Sequence, residues 1–550
     1  MTNTKGPISR ILNLLKLEQA EITAVYFYAI LNGLIQLSLP VGVQAIIGYV
    51  LGSSMRASLV VLIILVVLGV LIAGILQINQ MKIIEKVQQR LFVRYSFAFA
   101  QHIPRLDLKK TDTIYLPELV NRFFDVPLLQ KSLSKILLDI PTAVIQILFG
   151  LLLLAFYHPA FILFGVLLTT ILILILRYTG GKGLETSLQK SKYKYKVAAW
   201  LEEMARIIKS TKLAKQNDLH LQKTDELVSN YLVARNNHFR VLLLQFNIMV
   251  VFKTVITTAM LIVGTLLMIK QQLSIGQFIA AEIVILLVLN SVEKLIINLG
   301  SMYDTLTAVE KAAEITDKPV EHNGTVDLPA TSMGVKIELK DVSFSYNDES
   351  DVLKHLSLQV RENEKICIRG KDGSGKTTLL KLLTGCYADF KGTILLDEVP
   401  MANYNLDSLR AQIGVLLYHQ DIFHGTLLEN ITMGNQQIRL EIIKNIVSKA
   451  GLNDFIASLK EGYNTVLDPT GKRLPRNVVH RILLVRALVA SPRLLLLEDP
   501  LPDFSIGHAN QLIQLLAEIK DTTVIVVSND EQLAQMCDRV VELENGNIKI

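Results

Sequence analysis

Cysteine is scarce in this chain: Cys367, Cys386 and Cys537 are the only three among 550 residues. No two stand in a Cys-x-x-Cys spacing, which excludes the common zinc patterns and a local disulfide framework. A reducing cytosol fits that usage. Charge is thin as well, at 19% of residues, against roughly 25% in soluble proteins. The net charge is +6, yet no basic stripe with interleaved aromatics is present, so nucleic acid is not expected as a partner. Apolar residues, by contrast, make up 51% and mean hydropathy is positive. The N-terminal MTNTKGPISRILNLLKLEQAE is broken by charges and has no small-residue cleavage site, so it does not read as a secretory signal.

The apolar surplus is uneven. It fills residues 1–317, which read as a membrane domain; residues 318–334 read as a linker rich in Pro, Gly and polar residues; 335–550 read as a soluble α/β domain. A spanning helix needs roughly 20 apolar residues. Six segments qualify: Ile22–Leu51, Ala57–Met81, Ile136–Tyr157, Ala160–Leu176, Val241–Ile269 and Phe278–Leu299. Their connections alternate between short and long. The long ones, 82–135 and 177–240, hold KIIEK, LKK, KSKYKYK and RIIKSTKLAK. Their Lys and Arg excess puts them and both termini on the cytoplasmic side of a cell (inner) membrane. Structureless connections of such length are uncommon, so the spans are expected to continue as helices beyond the bilayer. In the sixth span Glu282, Asn290 and Glu293 share one helical face. They are candidates for a substrate path, since ionisable groups inside a membrane face a cavity or a partner. Glu293 could instead sit at the inner rim, paired with Lys294 or Lys253.

The soluble half carries GKDGSGKT: Gly370, Lys371, Asp372, Gly373, Ser374, Gly375, Lys376 and Thr377, followed by Thr378. KICIR before it is strand-like and TTLLKLLTG after it is helical, the context that makes this a P-loop. Backbone N–H groups can approach phosphate there, and the helix N-terminus adds a favourable dipole. Lys376 is expected at the β- and γ-phosphates of ATP, and Thr377 on Mg²⁺.

Together with this loop, VSFSYNDESDVLKHLSLQV (Val342–Val360), HGTLLENITMG (His424–Gly434) and the C-terminal VVELENGNIKI resemble the ATP-binding cassette (ABC) family. Long paired inner helices with small outer loops resemble its exporters. The resemblance implies a six-span helical domain fused to an α/β P-loop ATPase, a half-transporter that needs a second half, as homo- or heterodimer. It places Tyr346 on adenine, although a strand aromatic packed in the core would look the same. It makes Glu118–Val126 and Leu201–Asp218 the regions that couple membrane and ATPase domains.

The family's remaining motifs are altered. Where LSGGQ is expected, on the surface that caps a partner's ATP, stand Leu474, Pro475, Arg476, Asn477 and Val478. Pro475 removes a hydroxyl and an N–H; Arg476 could hold phosphate only by charge. The Asp-Glu pair is exchanged: Glu498 stands at the Mg²⁺ position and Asp499 at that of the base. Asn529 replaces the switch histidine and cannot carry its charge. Tyr418 replaces the coupling glutamine, with His419 and Gln420 beside it, and Ser505 replaces an aspartate, with Asp503 near. Two functions follow. One is an ATP-driven exporter, with a lean toward peptides or proteins as cargo; the other is a nucleotide-binding subunit that hydrolyses poorly.

Overall fold

In a computed structural model of the chain, the described residues are 6–51, 56–214, 218–331, 333–347, 350–418, 420–501, 504 and 506–549. They separate into two compact units: residues 1–104 with 114–318, and residues 105–113 with 319–550.

The first unit is helical. Its elements are α1 (Pro7–Leu17), α2 (Gln19–Gln36), α3 (Ser38–Leu51), α4 (Arg56–His102), then, after α5 (Leu108–Thr111) of the other unit, α6 (Leu116–Val120), α7 (Asp125–Tyr157), α8 (Ala160–Arg206), α9 (Ile208–Leu213), α10 (Leu219–Ile269) and α11 (Ile275–Thr316). Among the described residues, six helical stretches are long and apolar enough to cross a membrane. At 1.5 Å per residue, α4, α8 and α10 are far longer than a ~30 Å hydrocarbon core, so the spans do continue as helices. The first span breaks at Leu37, where Pro40 of the following helix removes an amide donor. A capping box of Ser274 and Gln277 starts α11, satisfying two N-terminal amides at once. This helix is the most buried of the unit, packed against α7, α10 and α3. Its seam with α7 is polar as well as apolar. Ser291 donates to Gln146 at 2.8 Å, and Gln146 donates in turn to Gln36; Asn298 donates to Asp139 at 3.1 Å. Buried amides of this kind must be paired.

The second unit is built on two large sheets and one two-stranded sheet. Its elements are β1 (Ile337–Phe344), β2 (Leu353–Val360), β3 (Lys365–Arg369), α12 (Lys376–Leu383), β4 (Lys391–Leu396), β5 (Val399–Pro400), α13 (Leu406–Ala411), β6 (Ile413–Leu416), β7 (Gly425–Thr426), α14 (Leu427–Thr432), α15 (Leu440–Lys449), α16 (Asn453–Ser458), β8 (Val466–Leu467), α17 (Arg476–Val489), β9 (Leu494–Glu498), α18 (Ile506–Glu518), β10 (Thr523–Val527), α19 (Glu531–Met536), β11 (Arg539–Glu544) and β12 (Asn547–Lys549). One sheet runs β2-β1-β4-β5, antiparallel; the other runs β12-β11-β3-β10-β9-β6. In the latter every pair but β11–β12 is parallel. Central parallel strands are covered on both faces and read as unbroken apolar runs, as LLLLE and TVIVV do, with every residue buried. The order puts the carboxyl ends of β3, β9 and β10 side by side, which is where open α/β sheets bind ligands.

Residues 319–334 belong to this unit rather than hanging free. Leu328 is 3% exposed in its core. Arg493 donates to the carbonyls of Pro329, Met333 and Gly334 at 3.0, 2.7 and 2.8 Å. The stretch lacks a sequence period because it forms no continuous ladder: isolated backbone bonds to Arg105, Asn403 and Tyr404 serve its first half, and Arg493 serves its second. Residues 105–113 also belong here. Asp107 caps α5, Leu108 packs on the core, and Lys109 bonds Asp389 at 2.9 Å. Glu118–Val126, read as a coupling region, stays in the membrane unit. There Arg122 is held by Glu118 and Glu314, each at 2.8 Å. The segment that joins the ATPase unit therefore begins upstream, at Arg105. Part of the other coupling region, residues 215–217, lies outside the described residues.

Candidate nucleotide site and membrane cleft

β3 delivers the chain into the loop Gly370–Gly375, and α12 leaves it at Lys376. Two glycines are required. Gly370 has φ +156° and a Cβ would lie 2.2 Å from the carbonyl of Leu543; Gly375 has φ +101° and a Cβ would meet Leu353 at 2.7 Å. The loop is furnished for an anion. Lys376 Nζ donates to the carbonyls of Gly370 and Lys371 at 2.7 and 2.8 Å, bonds that phosphate oxygens can replace. The Ser374 hydroxyl is buried and has no partner, an orphan of the kind a ligand satisfies. Lys371, Asp372 and Gly373 form the exposed crest. Asp372 places a negative charge in this cradle, which the sequence pattern alone passes over.

The Thr377 hydroxyl donates to Glu498 Oε1. The other oxygen of Glu498 accepts the amide of Tyr418 at 2.8 Å. Thr377 and Glu498 thus bring two hard oxygens together beside the loop, the donor type Mg²⁺ takes, and these residues fit that ion. Asp499 follows at φ +41°, a left-handed backbone uncommon outside glycine and costly enough to mark functional sites. Its carboxyl lies in the cleft. Desolvation, with help from Glu498 and Asp372, pushes it above the usual carboxylate range, while a Ser528 hydrogen bond and Lys376 pull it down. Asn529 is exposed at the end of β10, and its Oδ1 accepts from Gly370 N at 3.4 Å.

Tyr346 is half-buried behind the loop. Its hydroxyl lies 3.1 Å from that of Thr378, and its ring meets those of Phe344 and Tyr387 edge-on at 5.0 and 5.5 Å. Lys381 stands over it at 5.6 Å.

A cleft of about 860 Å³ runs from Glu498 and Asp499 past Tyr418 to Arg476 and His480. The side chain of Tyr418 is 73% exposed. Beside it Gln420 turns inward, accepting from Leu417 N at 3.2 Å. His419, Asp503 and Ser505 lie outside the described residues. At the far wall α17 opens on Pro475 (φ −57°, ψ 142°) with no side-chain cap. Asn477 Oδ1 accepts the amide of Val478, so one of the first-turn donors is spent locally. Leu474 and Val478 pack against the helical core instead, and Arg476 is exposed.

In the membrane unit Asn290 lines a cleft of about 400 Å³ with Gln146, Ser291 and Lys294. Glu293 is ion-paired with Lys253 at 2.8 Å, and Lys253 also reaches Asn290 at 3.5 Å. Glu282 is half-buried a few turns away and does not line that cleft.

Comparison with known proteins agrees with this geometry. The family model for the ABC transporter transmembrane region matches residues 22–292, and that for the ABC transporter matches 353–502. The chain is 31% identical over 287 residues to the alpha-hemolysin translocation ATP-binding protein HlyB of Escherichia coli O157:H7. That match covers 52% of this chain and 40% of that protein. It is 29% identical to the leukotoxin translocation ATP-binding protein LktB of Mannheimia haemolytica, over 59% of this chain and 46% of that one. The matches thus span less than half the length of these relatives. A solved bacterial Atm1-family ABC exporter with ATP bound shares the fold at TM-score 0.87 and 16% identity, over 97% of this chain and 94% of that chain. With six spanning helices, a P-loop at the carboxyl edge of a parallel sheet and both family models matched in order, the chain is a multi-pass membrane protein that belongs to the ABC transporter family, its membrane region and ATP-binding domain fused in one half-transporter polypeptide.

Proposed function

We propose that the chain is an exporter subunit in which ATP, bound with Mg²⁺ at Gly370–Thr378, drives or gates passage of a substrate through the membrane unit. The observation that carries this is the furnished anion cradle: Lys376 resting on loop carbonyls and a buried, partnerless Ser374 hydroxyl. Tyr346 offers the adenine face, and Asp499 is the group placed to orient water. The relatives' names speak of hemolysin and leukotoxin translocation, which supports a peptide or protein cargo here. A second copy or a related half completes the assembly. The inner membrane, with both termini in the cytoplasm, is the location that gives the ATPase its nucleotide.

A second reading is a subunit that binds ATP but turns it over very slowly, holding one conformation by occupancy. It is favoured by Pro475 and Asn477 at the start of α17 and by Glu498, whose two oxygens are both engaged. Equilibrium binding of a fluorescent ATP analogue, measured beside phosphate release from the reconstituted protein, separates the two. ATP binding is expected in the micromolar to millimolar range, with Lys376→Ala weakening it on the order of 10²-fold, since a charge-assisted phosphate contact is worth roughly 1.5–3 kcal/mol. Robust phosphate release that Lys376→Ala abolishes supports the driven exporter; tight binding without release supports the second reading. Absence of binding would sink both.

A further inference from the structure

The cleft in the membrane unit has a chemistry that nucleotide binding leaves unused. Its wall on α11 is one helical face, because Ile283, Leu286, Leu287, Asn290, Ser291 and Lys294 follow one another at helical steps. Gln146 of α7 closes the other side. The volume of about 400 Å³ falls within the roughly 300–1,000 Å³ of ligand pockets. The face changes character along its length. Toward the N-terminus of α11 it is apolar, through Ile283, Leu286 and Leu287. Toward the C-terminus it is polar and ends in a cation, Lys294.

The polar half offers donors and keeps its acceptors engaged. The Ser291 hydroxyl is spent on Gln146 Oε1 at 2.8 Å. Gln146 is 7% exposed, and one of its N–H groups goes to Gln36, which leaves the second. Asn290 Oδ1 takes Lys253 at 3.5 Å, so its NH₂ group is the unengaged end. Lys294 makes no ion pair among the described residues. Its carbonyl, not its ammonium, meets Asn298 at 2.9 Å. The neighbouring acids are engaged elsewhere: Glu293 with Lys253 at 2.8 Å and Asp139 with Asn298 at 3.1 Å. Neither lines the cleft. An ionisable group within a membrane faces a cavity or a partner. Lys294 faces the cavity, so its partner is the ligand. One ammonium with two amide donors matches an anion and repels a cation, and low dielectric sharpens both effects.

We propose that this cleft binds an anionic amphipathic peptide, with a carboxylate at Lys294, backbone carbonyls at the amides of Asn290 and Gln146, and apolar side chains along Ile283, Leu286 and Leu287. The inference rests on the exporter reading above and names the chemistry of its cargo. Removing a carboxylate from water is costly unless a cation and hydrogen bonds meet it. Asn290 and Lys294 supply both one helical turn apart. The amide donors stand where the apolar and charged halves join. A peptide bond has a carbonyl to give them there, and the chain of a lipid acid does not.

The test uses the full chain in lipid nanodiscs without nucleotide. The probe is a short apolar peptide with a fluorophore on its N-terminus and a free C-terminal carboxylate; the same peptide as its C-terminal amide is the neutral counterpart. Fluorescence anisotropy is expected to show the acid bound more tightly than the amide on the order of tenfold, the scale of a charge-assisted hydrogen bond. Lys294→Met is expected to erase that preference while still binding an ATP analogue, which shows that it is folded. Lys294→Arg is expected to keep the preference. Lys270→Met, which removes a cation just beyond the end of α10, is expected to change nothing. Equal binding of acid and amide by the wild type overturns the proposal, as does a preference that survives Lys294→Met or no binding of either peptide. Oleate displacing the probe as readily as the unlabelled peptide acid also overturns it, because the ligand is then a lipid carboxylate. ATP-analogue binding to the same discs reads the exporter function separately: a Lys294-dependent preference without ATP binding would sink that function and leave the peptide site in place.

Discussion

At the scale of single residues, the exchanged acids decide most. Glu498 has one methylene more than aspartate, and the structure shows its use: one oxygen takes the Thr377 hydroxyl and the other the Tyr418 amide. Asp499 has one methylene fewer than the glutamate expected of a base, and it sits on a left-handed backbone. The exchange is read from LLLLEDP, where the apolar run anchors the register. The bridge to Tyr418 is not legible there, since nothing local places a loop after β6 against the end of β9. Asp499 makes a pH prediction. Its carboxyl is held above the usual range by desolvation and by Glu498 and Asp372. A raised folded value means that the folded chain binds this proton more tightly than the unfolded chain. Acidification therefore adds stability at this position, and that increment is lost as pH rises through the folded value. In the role we propose for Asp499, it acts only when ionised, above that value. Residual phosphate release is thus expected to fall with acid at a pH above the ordinary carboxylate range, while the melting temperature of wild type relative to Asp499→Asn rises. Asp499→Asn itself is expected to cut release on the order of 10²-fold, within the usual span of a general base. Equal release by the two proteins would remove Asp499 from that role.

Elements tell a different story about legibility. The spans and the P-loop were readable because each is written locally, in apolar length or glycine spacing. Residues 319–334 were readable only as an absence of period. Residues 319–326 are held by backbone bonds to Arg105, Asn403 and Tyr404, and residues 329–334 by Arg493, which is 4% exposed and also bonds Asp397 at 2.8 Å. One side chain from the start of β9 thereby satisfies three carbonyls and a carboxylate of distant segments. Arg493→Ala is expected to destabilise the ATPase unit by roughly 3–5 kcal/mol, the loss seen when one partner of a buried, hydrogen-bonded ion pair is removed. Thermal unfolding followed by fluorescence in the full chain reads this, and a change under about 1 kcal/mol would mean that the strap contributes little. Arg493→Lys is not expected to rescue it, because one ammonium cannot match a planar fork with five donors. The segment 105–113 escaped the sequence reading for a related reason. RLDLKKTDT is short, polar and without period; packing of Leu108, the Lys109–Asp389 pair and backbone bonds to Pro319 and Glu321 reveal where it belongs.

For the whole molecule, the alterations read from the sequence form two groups in one chain: Glu498, Asp499 and Asn529 around the P-loop edge, and Pro475–Val478 at the start of α17. In the head-to-tail dimer we propose, one composite site takes the acids of one chain and the α17 surface of the other. A homodimer then carries both sets of changes in each site, and a normal partner repairs neither site fully. Mixed dimers test this arithmetic. One form carries Glu498→Asp, Asp499→Glu and Asn529→His; another carries Pro475→Ser, Arg476→Gly, Asn477→Gly and Val478→Gln. Each alone, as a homodimer, leaves every site half repaired and is expected to release phosphate little faster than the wild type. Co-purified as a mixed dimer, the two forms make one fully repaired site and one with all the changes. Its release is expected at about half that of a chain carrying all seven substitutions, because one of two independent sites works. If instead the acid-repaired homodimer already matches the variant with all seven substitutions, the α17 surface, Arg476 included, has no part in hydrolysis, and the acids and Asn529 at the P-loop edge alone set the rate.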